Sequence, residues 1–243
     1  MRKLVSFDWA MKKILRQKAN FGILEGFLTE LLKFDVKIEE ILESEANQET
    51  EEDKFNRVDL LAKNEDDELI LIEVQHNNEI DYFQRILYDT SNLITQSIYK
   101  DRGFIEIKKL YSVNITNDKE THGDDYIYHH KMSFKGLNEN DILVSDKAQE
   151  EIFSIKTLDI YPEYYVIIVN KFNDIAKSSL DEWIYFLKNE EIKTAFKAKG
   201  LDRAKETLDM LNIAKNLLLA KIDIETIIKS TGLSIDEIKK IKI

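Results

Sequence analysis

Two carboxylates sit where oily strands ordinarily carry none: Asp59 in the run Val58 to Ala62, and Glu73 in the run Leu69 to Val74. The acidic segment between them, Asn64 to Glu68, is of the kind that turns a chain, so the whole reads as a β-hairpin. Side chains alternate along a strand, which puts Glu73 and Gln75 on one face and Ile70, Ile72 and Val74 on the other. Asp59 likewise faces away from Val58 and Leu60. Leu69 to Ile72 is apolar on both sides, as in the centre of a covered sheet. A carboxylate that ends such a strand loses several kcal/mol of hydration unless a cation or donor meets it. Two carboxylates on adjacent strands repel unless positive charge lies between them, and a divalent metal supplies it. The plainer alternative leaves both groups at strand ends in water, as charged groups usually are.

The flanking elements must hold this pair. Ser6 or Asp8 can cap a first helix through Trp9, Met11, Ile14 and Leu15, and Asp8 and Lys12 share one of its faces. A second helix, about Asn20 to Lys33, carries the core stripe Ile23, Leu24, Phe27, Leu28, Leu31 and Leu32. Lys37 to Glu45 reads as a first strand. Asn78 to Tyr99 is strongly helical, with Ile80, Phe83, Ile86 or Leu87, Leu93 and Ile94 on the expected buried side. Arg85, Asp89, Asn92 and Gln96 fall on a different, polar face. Gly103 to Asn114 gives a break and then a strand, and Tyr164 to Phe172 another buried strand. His129 and His130 are adjacent and face opposite ways on a strand, which reads them as structural or surface groups rather than joint ligands. His76 is turned away from Gln75 by the same alternation.

From Ser179 the chain is helical: Leu180 to Leu187, Arg203 to Leu219, and two short helices within Ile224 to Ile241 joined at Thr231-Gly-Leu-Ser. The last pair resembles the first part of a helix-turn-helix. Its second helix offers mixed charge and few base-reading side chains, which favours an ordinary helical hairpin.

The 243 residues suffice for a real core, and 43% hydrophobic with 33% charged residues describes a soluble globular chain. One proline and seven glycines favour long regular elements over flexible linkers. The sequence contains no apolar run of membrane-spanning length, no signal-peptide core and no cysteine, which leads to the expectation of a cytoplasmic protein without membrane association. The formal charge of −11 runs against nucleic-acid binding unless a local basic face provides it.

The arrangement of Asp59, a turn, and then Glu73-Val-Gln75 closing an apolar strand resembles the PD-(D/E)XK nucleases, specifically the Rpn-type recombination-promoting nucleases and the related transposase-like family. The resemblance covers about Ser6 to Asn117 and more faintly Tyr164 to Phe172. It implies an α/β restriction-endonuclease-like core, a mixed central sheet flanked by helices, over residues 1–178, with a helical carboxyl-terminal extension over 179–243. It implies that Asp59 and Glu73, with the backbone carbonyl of Val74, hold Mg²⁺ (or Mn²⁺ in its place). Such nucleases begin with a helix bearing Asp-x-x-Phe-Lys. Asp8, Met11 and Lys12 fit that motif and add Asp8 and Lys12 to the catalytic candidates. Gln75 stands where relatives carry Lys or Gln. An amide orients water by hydrogen bonds but supplies no charge, so either the metal does more of the work, Lys12 or Lys63 substitutes, or the enzyme is slow. On the following helix, Arg85 and Tyr88 fit the family's Arg and Tyr. With Gln96 they are the substrate-side candidates.

The function implied is a metal-dependent DNA endonuclease, linked to recombination or mobile DNA and able to pair as a homodimer. The rival is a catalytically silent nuclease-like DNA- or protein-binding accessory, which the acidic charge and the absent lysine favour. A third reading is a structural α+β domain whose carboxylates meet lysines.

Overall fold

The computed structural model describes residues 21–43, 60–75, 81–97, 107–117, 123–143 and 160–241. They fall into two compact units: one from the described residues between 37 and 172, the other from those up to 36 and from 173 onward.

The first unit is built on a six-stranded sheet of order β1-β2-β3-β4-β6-β5. Its strands are β1 (Ile38–Glu43), β2 (Leu60–Asn64), β3 (Leu69–Gln75), β4 (Leu110–Thr116), β5 (Ile127–Lys131) and β6 (Glu163–Ile168). The β2–β3 hairpin is antiparallel, running from Lys63↔Leu69 to Leu60↔Ile72. Its turn is held by Asn64, whose Nδ2 donates to Glu68 Oε2 and whose Oδ1 accepts the Glu68 N–H, each at 2.8 Å. Asp67 takes the left-handed conformation that the turn needs (φ 62°), which a short polar side chain tolerates. Lys108 and Lys63 flank its carboxylate and hold it below its ordinary pKa.

β3, β4 and β6 run parallel, and β1 and β5 close the two sides antiparallel. A parallel pair needs a crossover, and between β3 and β4 this is α2 (Tyr82–Ser97). Leu93 of α2 packs with Leu61, Leu69, Leu71 and Leu110, an apolar patch at the amino-terminal ends of β3 and β4.

The inward stripe of α2 differs from the expected one. Tyr82, Ile86, Asp89, Thr90 and Leu93 are buried, Arg85 is half-buried, and Phe83 and Leu87 are exposed. Two charged side chains thus displace two apolar ones from the sheet side, because a polar patch lies beneath the start of the helix. β6 ends at Ile168, and a 3₁₀ turn (Val169–Lys171) follows where the strand was expected to continue. β5, which the sequence does not announce, holds His129 and His130 on opposite faces. His129 stacks on Tyr165 at 4.3 Å between centroids, and His130 lies against Tyr164.

The second unit is helical: α1 (Gly22–Leu32), α3 (Ser179–Asn189), α4 (Leu201–Leu219), α5 (Ile224–Thr231) and α6 (Ile235–Lys240). Phe27 of α1 meets Trp183 of α3 at 5.6 Å between ring centroids. Gly26 lets α1 approach the Lys199 backbone, since a Cβ there would lie 2.1 Å from the Lys199 carbonyl oxygen. Ser178 and Asp181 form a capping box on α3, as Ser234 and Glu237 do on α6. Gly232, at φ 70°, ends α5 and turns the chain into α6. Leu211, Ala214, Ile227, Leu233, Ile238 and Ile241 form the core that α4, α5 and α6 share.

Candidate active site

Glu73 lies near the carboxyl end of β3, in register with Asn114 on β4, and Gln75 follows it opposite Thr116. The outer ends of parallel strands are where open α/β sheets bind ligands. Along β3 every residue from Leu69 to Val74 is buried, Glu73 included at 4% exposure. The carboxylate is enclosed, on the side of the sheet that α2 covers, and does not lie at a strand end in water as the plainer alternative has it.

Arg85 of α2 brings a positive charge to this carboxylate, with Nη2 3.8 Å from Glu73 Oε2. That is too long for a good hydrogen bond but close enough for mutual attraction in a partly dry site. Its guanidinium also lies 5.9 Å from the Tyr82 ring centroid. Helix geometry accounts for the pairing. Arg85 and Leu93 are eight residues apart, about 12 Å of helix, and Glu73 and Leu69 are four apart, about 13 Å of strand. The helix therefore runs back along β3, setting its apolar end over the leucines and its polar start over Glu73.

β4 continues this polar patch. Ser112, Asn114 and Thr116 alternate with Tyr111, Val113 and Ile115, and all three polar residues are buried. Asn114 is wholly enclosed, at 0% exposure. Its Nδ2 donates to Ser112 Oγ at 2.9 Å, to the Ser112 carbonyl at 3.2 Å and to the Tyr165 carbonyl at 3.3 Å. Two of these partners accept only, which fixes the amide orientation: nitrogen toward the carbonyls and oxygen away from them. Asn114 Oδ1 has no hydrogen-bond partner among the described residues. A buried acceptor left in this state costs roughly 1–3 kcal/mol, so its presence calls for a ligand or water. Asp89, buried one helical turn after Arg85, adds another carboxylate to the inward side of α2.

The donor set suits a hard divalent cation, which takes oxygen ligands from carboxylates and amide carbonyls. Among the described residues, however, no group of three His, Asp or Glu side chains gathers around a point that could hold one.

Of the other candidates, Asp8, Lys12 and Asp59 lie outside the described residues, as do His76 and His122. Gln75 and Val74 are placed by their backbone at the end of β3. Tyr88 is 53% exposed, and Gln96 is exposed with its Nε2 donating to Asn92 Oδ1 at 3.2 Å. Neither has a described contact with Glu73. Lys63 cannot replace a site lysine. It is paired in register with Leu69, at the other end of β3 from Glu73, and its ammonium meets Glu39 Oε2 at 2.9 Å. The reading of the sequence missed Asn114 and the inward position of Asp89. The signal for Asn114 was present in Leu-Tyr-Ser-Val-Asn-Ile-Thr, where polar side chains recur at the strand period of two.

A separate buried carboxylate, Glu163, begins β6 on the opposite face of the sheet. Burial pushes its pKa up, but Lys109 and Lys131 (2.8 and 2.9 Å) and His129 (3.0 Å) more than offset this and hold it at about 2. Every charge in this cluster has a partner, so it is a structural clamp.

A mixed six-stranded sheet with six helices among the described residues, and a carboxylate closing its central parallel strand, define an α/β protein of the restriction-endonuclease-like class. The family model for the PD-(D/E)XK nuclease family transposases matches residues 5–227, most of the chain, and the chain belongs to that family. No curated protein and no solved structure matches it. The match runs beyond the sheet unit into α5. No described helix is long and apolar enough to cross a membrane.

Proposed function

We propose that the chain is a Mg²⁺-dependent endodeoxyribonuclease, hydrolysing phosphodiesters in DNA, with Mn²⁺ able to substitute. The observation that carries this reading is Glu73, a carboxylate 4% exposed at the end of an otherwise apolar strand. Such a group is costly to bury unless opposite charge meets it, and a divalent cation would supply that charge. Asp59 is the second carboxylate in the reading. In its support, the last described rung of the hairpin is Leu60↔Ile72, adjacent in sequence to both acids. Asp59, Glu73 and the Val74 carbonyl would hold the ion, with Asp8 as an extra acid. A divalent ion bound there supplies Lewis-acid polarisation of the phosphate and a lowered pKa for water.

The protein's own side chains have simpler tasks. Gln75 orients the attacking water by hydrogen bonds, and Lys12 contributes the positive charge that Gln75 lacks. Arg85, Tyr88 and Gln96 contact the nucleic acid from α2. Along the chain the nuclease reading covers residues 1–178 and the helical extension 179–243, although α1 packs with the helices after residue 173. The protein acts in the cytoplasm, as a homodimer where both strands are cut, in recombination or the movement of DNA.

One observation favours a second reading. Arg85 already faces Glu73, as a resident counter-ion would in a catalytically silent, nuclease-like accessory that binds DNA or protein. Incubating purified protein with supercoiled plasmid and Mg²⁺ or Mn²⁺, beside Asp59→Ala, separates the two. Nicking that requires metal and Asp59 supports the enzyme. DNA binding without any cleavage supports the accessory.

A further inference from the structure

We infer that Asn114 is a further oxygen donor to the cation held at Glu73, contributed by the neighbouring parallel strand. The inference rests on the metal-dependent reading of Glu73 and extends it to a residue outside the hairpin.

Three observations converge. First, Asn114 and Glu73 are register partners on adjacent parallel strands, so their side chains rise on the same face of the sheet. Second, the amide nitrogen is committed toward β6 and Ser112 by its bonds to the Tyr165 carbonyl, the Ser112 carbonyl and Ser112 Oγ. The planar amide therefore turns its oxygen away from these carbonyls, and the register partner on the neighbouring strand is Glu73. Third, that oxygen is fully buried and accepts no hydrogen bond among the described residues.

A carboxylate and an amide carbonyl side by side are acceptors only, and neither can satisfy the other. A cation, or a water bound to one, meets both. Ser112 then has a defined task. With the two carbonyls it fixes the amide so that the oxygen faces the ion, as hydrogen bonds behind a metal ligand commonly do. The Glu73–Asn114 register makes this arrangement a property of the β3–β4 pairing.

The test is Mn²⁺ titration of the full chain by calorimetry, with thermal melts in the presence and absence of the ion. Wild type is expected to bind Mn²⁺ and Glu73→Gln to lose binding. Asn114→Ala is expected to bind about tenfold more weakly, with a lower but still cooperative melt without metal, because its buried hydrogen bonds to Ser112 and Tyr165 are lost. A second measurement needs no variant at position 114. In ¹⁵N-labelled wild type, Mg²⁺ should shift the Asn114 side-chain amide pair, and the shift should vanish in Glu73→Gln. Equal Mn²⁺ affinity in wild type and Asn114→Ala, or an Asn114 amide unmoved by Mg²⁺ that does bind, overturns the inference and leaves the nuclease reading standing. No Mn²⁺ binding by wild type at all overturns both.

Discussion

Arg85 is the side chain at which the two readings of Glu73 part. If Arg85 is a placeholder for the ion, removing it should uncover a metal dependence that the wild type masks. Arg85→Ala removes a positive charge that lies 3.8 Å from a buried carboxylate, a loss of about 1–3 kcal/mol after allowance for the partial exposure of the guanidinium. Chemical denaturation should show that loss without metal, and Mn²⁺ should restore more stability to Arg85→Ala than it adds to wild type. Equal gains from Mn²⁺ would mean that Arg85 and the ion do not share Glu73. Gln75 can be probed by Gln75→Lys, which gives the position a charge that stabilises negative charge developing on phosphate. A changed cleavage rate is expected, and an unchanged one removes Gln75 from water positioning.

The hairpin and α2 set the geometry at the next scale. Leu93 anchors α2 over Leu61, Leu69, Leu71 and Leu110, so Leu93→Ala should cost about 2–4 kcal/mol in a thermal or denaturant melt. Gly26→Ala should cost about 1–3 kcal/mol, because its Cβ would press on main chain at Lys199 and not on a side chain that can swing aside. The hairpin was legible because the two signals that specify it, apolar strands and a polar turn, are local. Its Glu73 was legible because a carboxylate in such a run is rare. The buried side of α2 was misread for a physical reason: Arg85 and Asp89 look like a wet face, and only a polar patch on β4 makes burying them tolerable. β5 escaped notice because Tyr-His-His-Lys carries no apolar stripe; it is held by pairing with β6 and by the contacts of its histidines. The end of β6 was overrun because Val169 continues the apolar run while the backbone already turns.

For the whole molecule, charge and acid stability matter most. A chain of formal charge −11 gains little nonspecific affinity from phosphate contacts, so DNA binding should be weak at 150 mM salt and change only shallowly as salt is lowered, because the slope follows the number of phosphates neutralised. The acid response should follow Glu163. Its carboxyl titrates at about 2 in the folded protein against an ordinary value of 4.5. A depressed carboxylate stabilises fully above its unfolded pKa, and this contribution is lost as pH falls from about 4.5 toward 2. Roughly 2 kcal/mol should disappear over that window, and Glu163→Gln should flatten the decline.

The central claim is that Glu73 serves a metal-dependent cut in DNA. It is tested most directly by the initial rate of plasmid nicking against Mg²⁺ concentration, for wild type and for a folded Glu73→Gln. The rate is expected to saturate with Mg²⁺, to vanish with chelator and to fall roughly 1,000-fold in Glu73→Gln, since a bound ion would supply several kcal/mol and each ~1.4 kcal/mol is tenfold. Equal nicking by the two proteins, or nicking that survives the chelator, would contradict it.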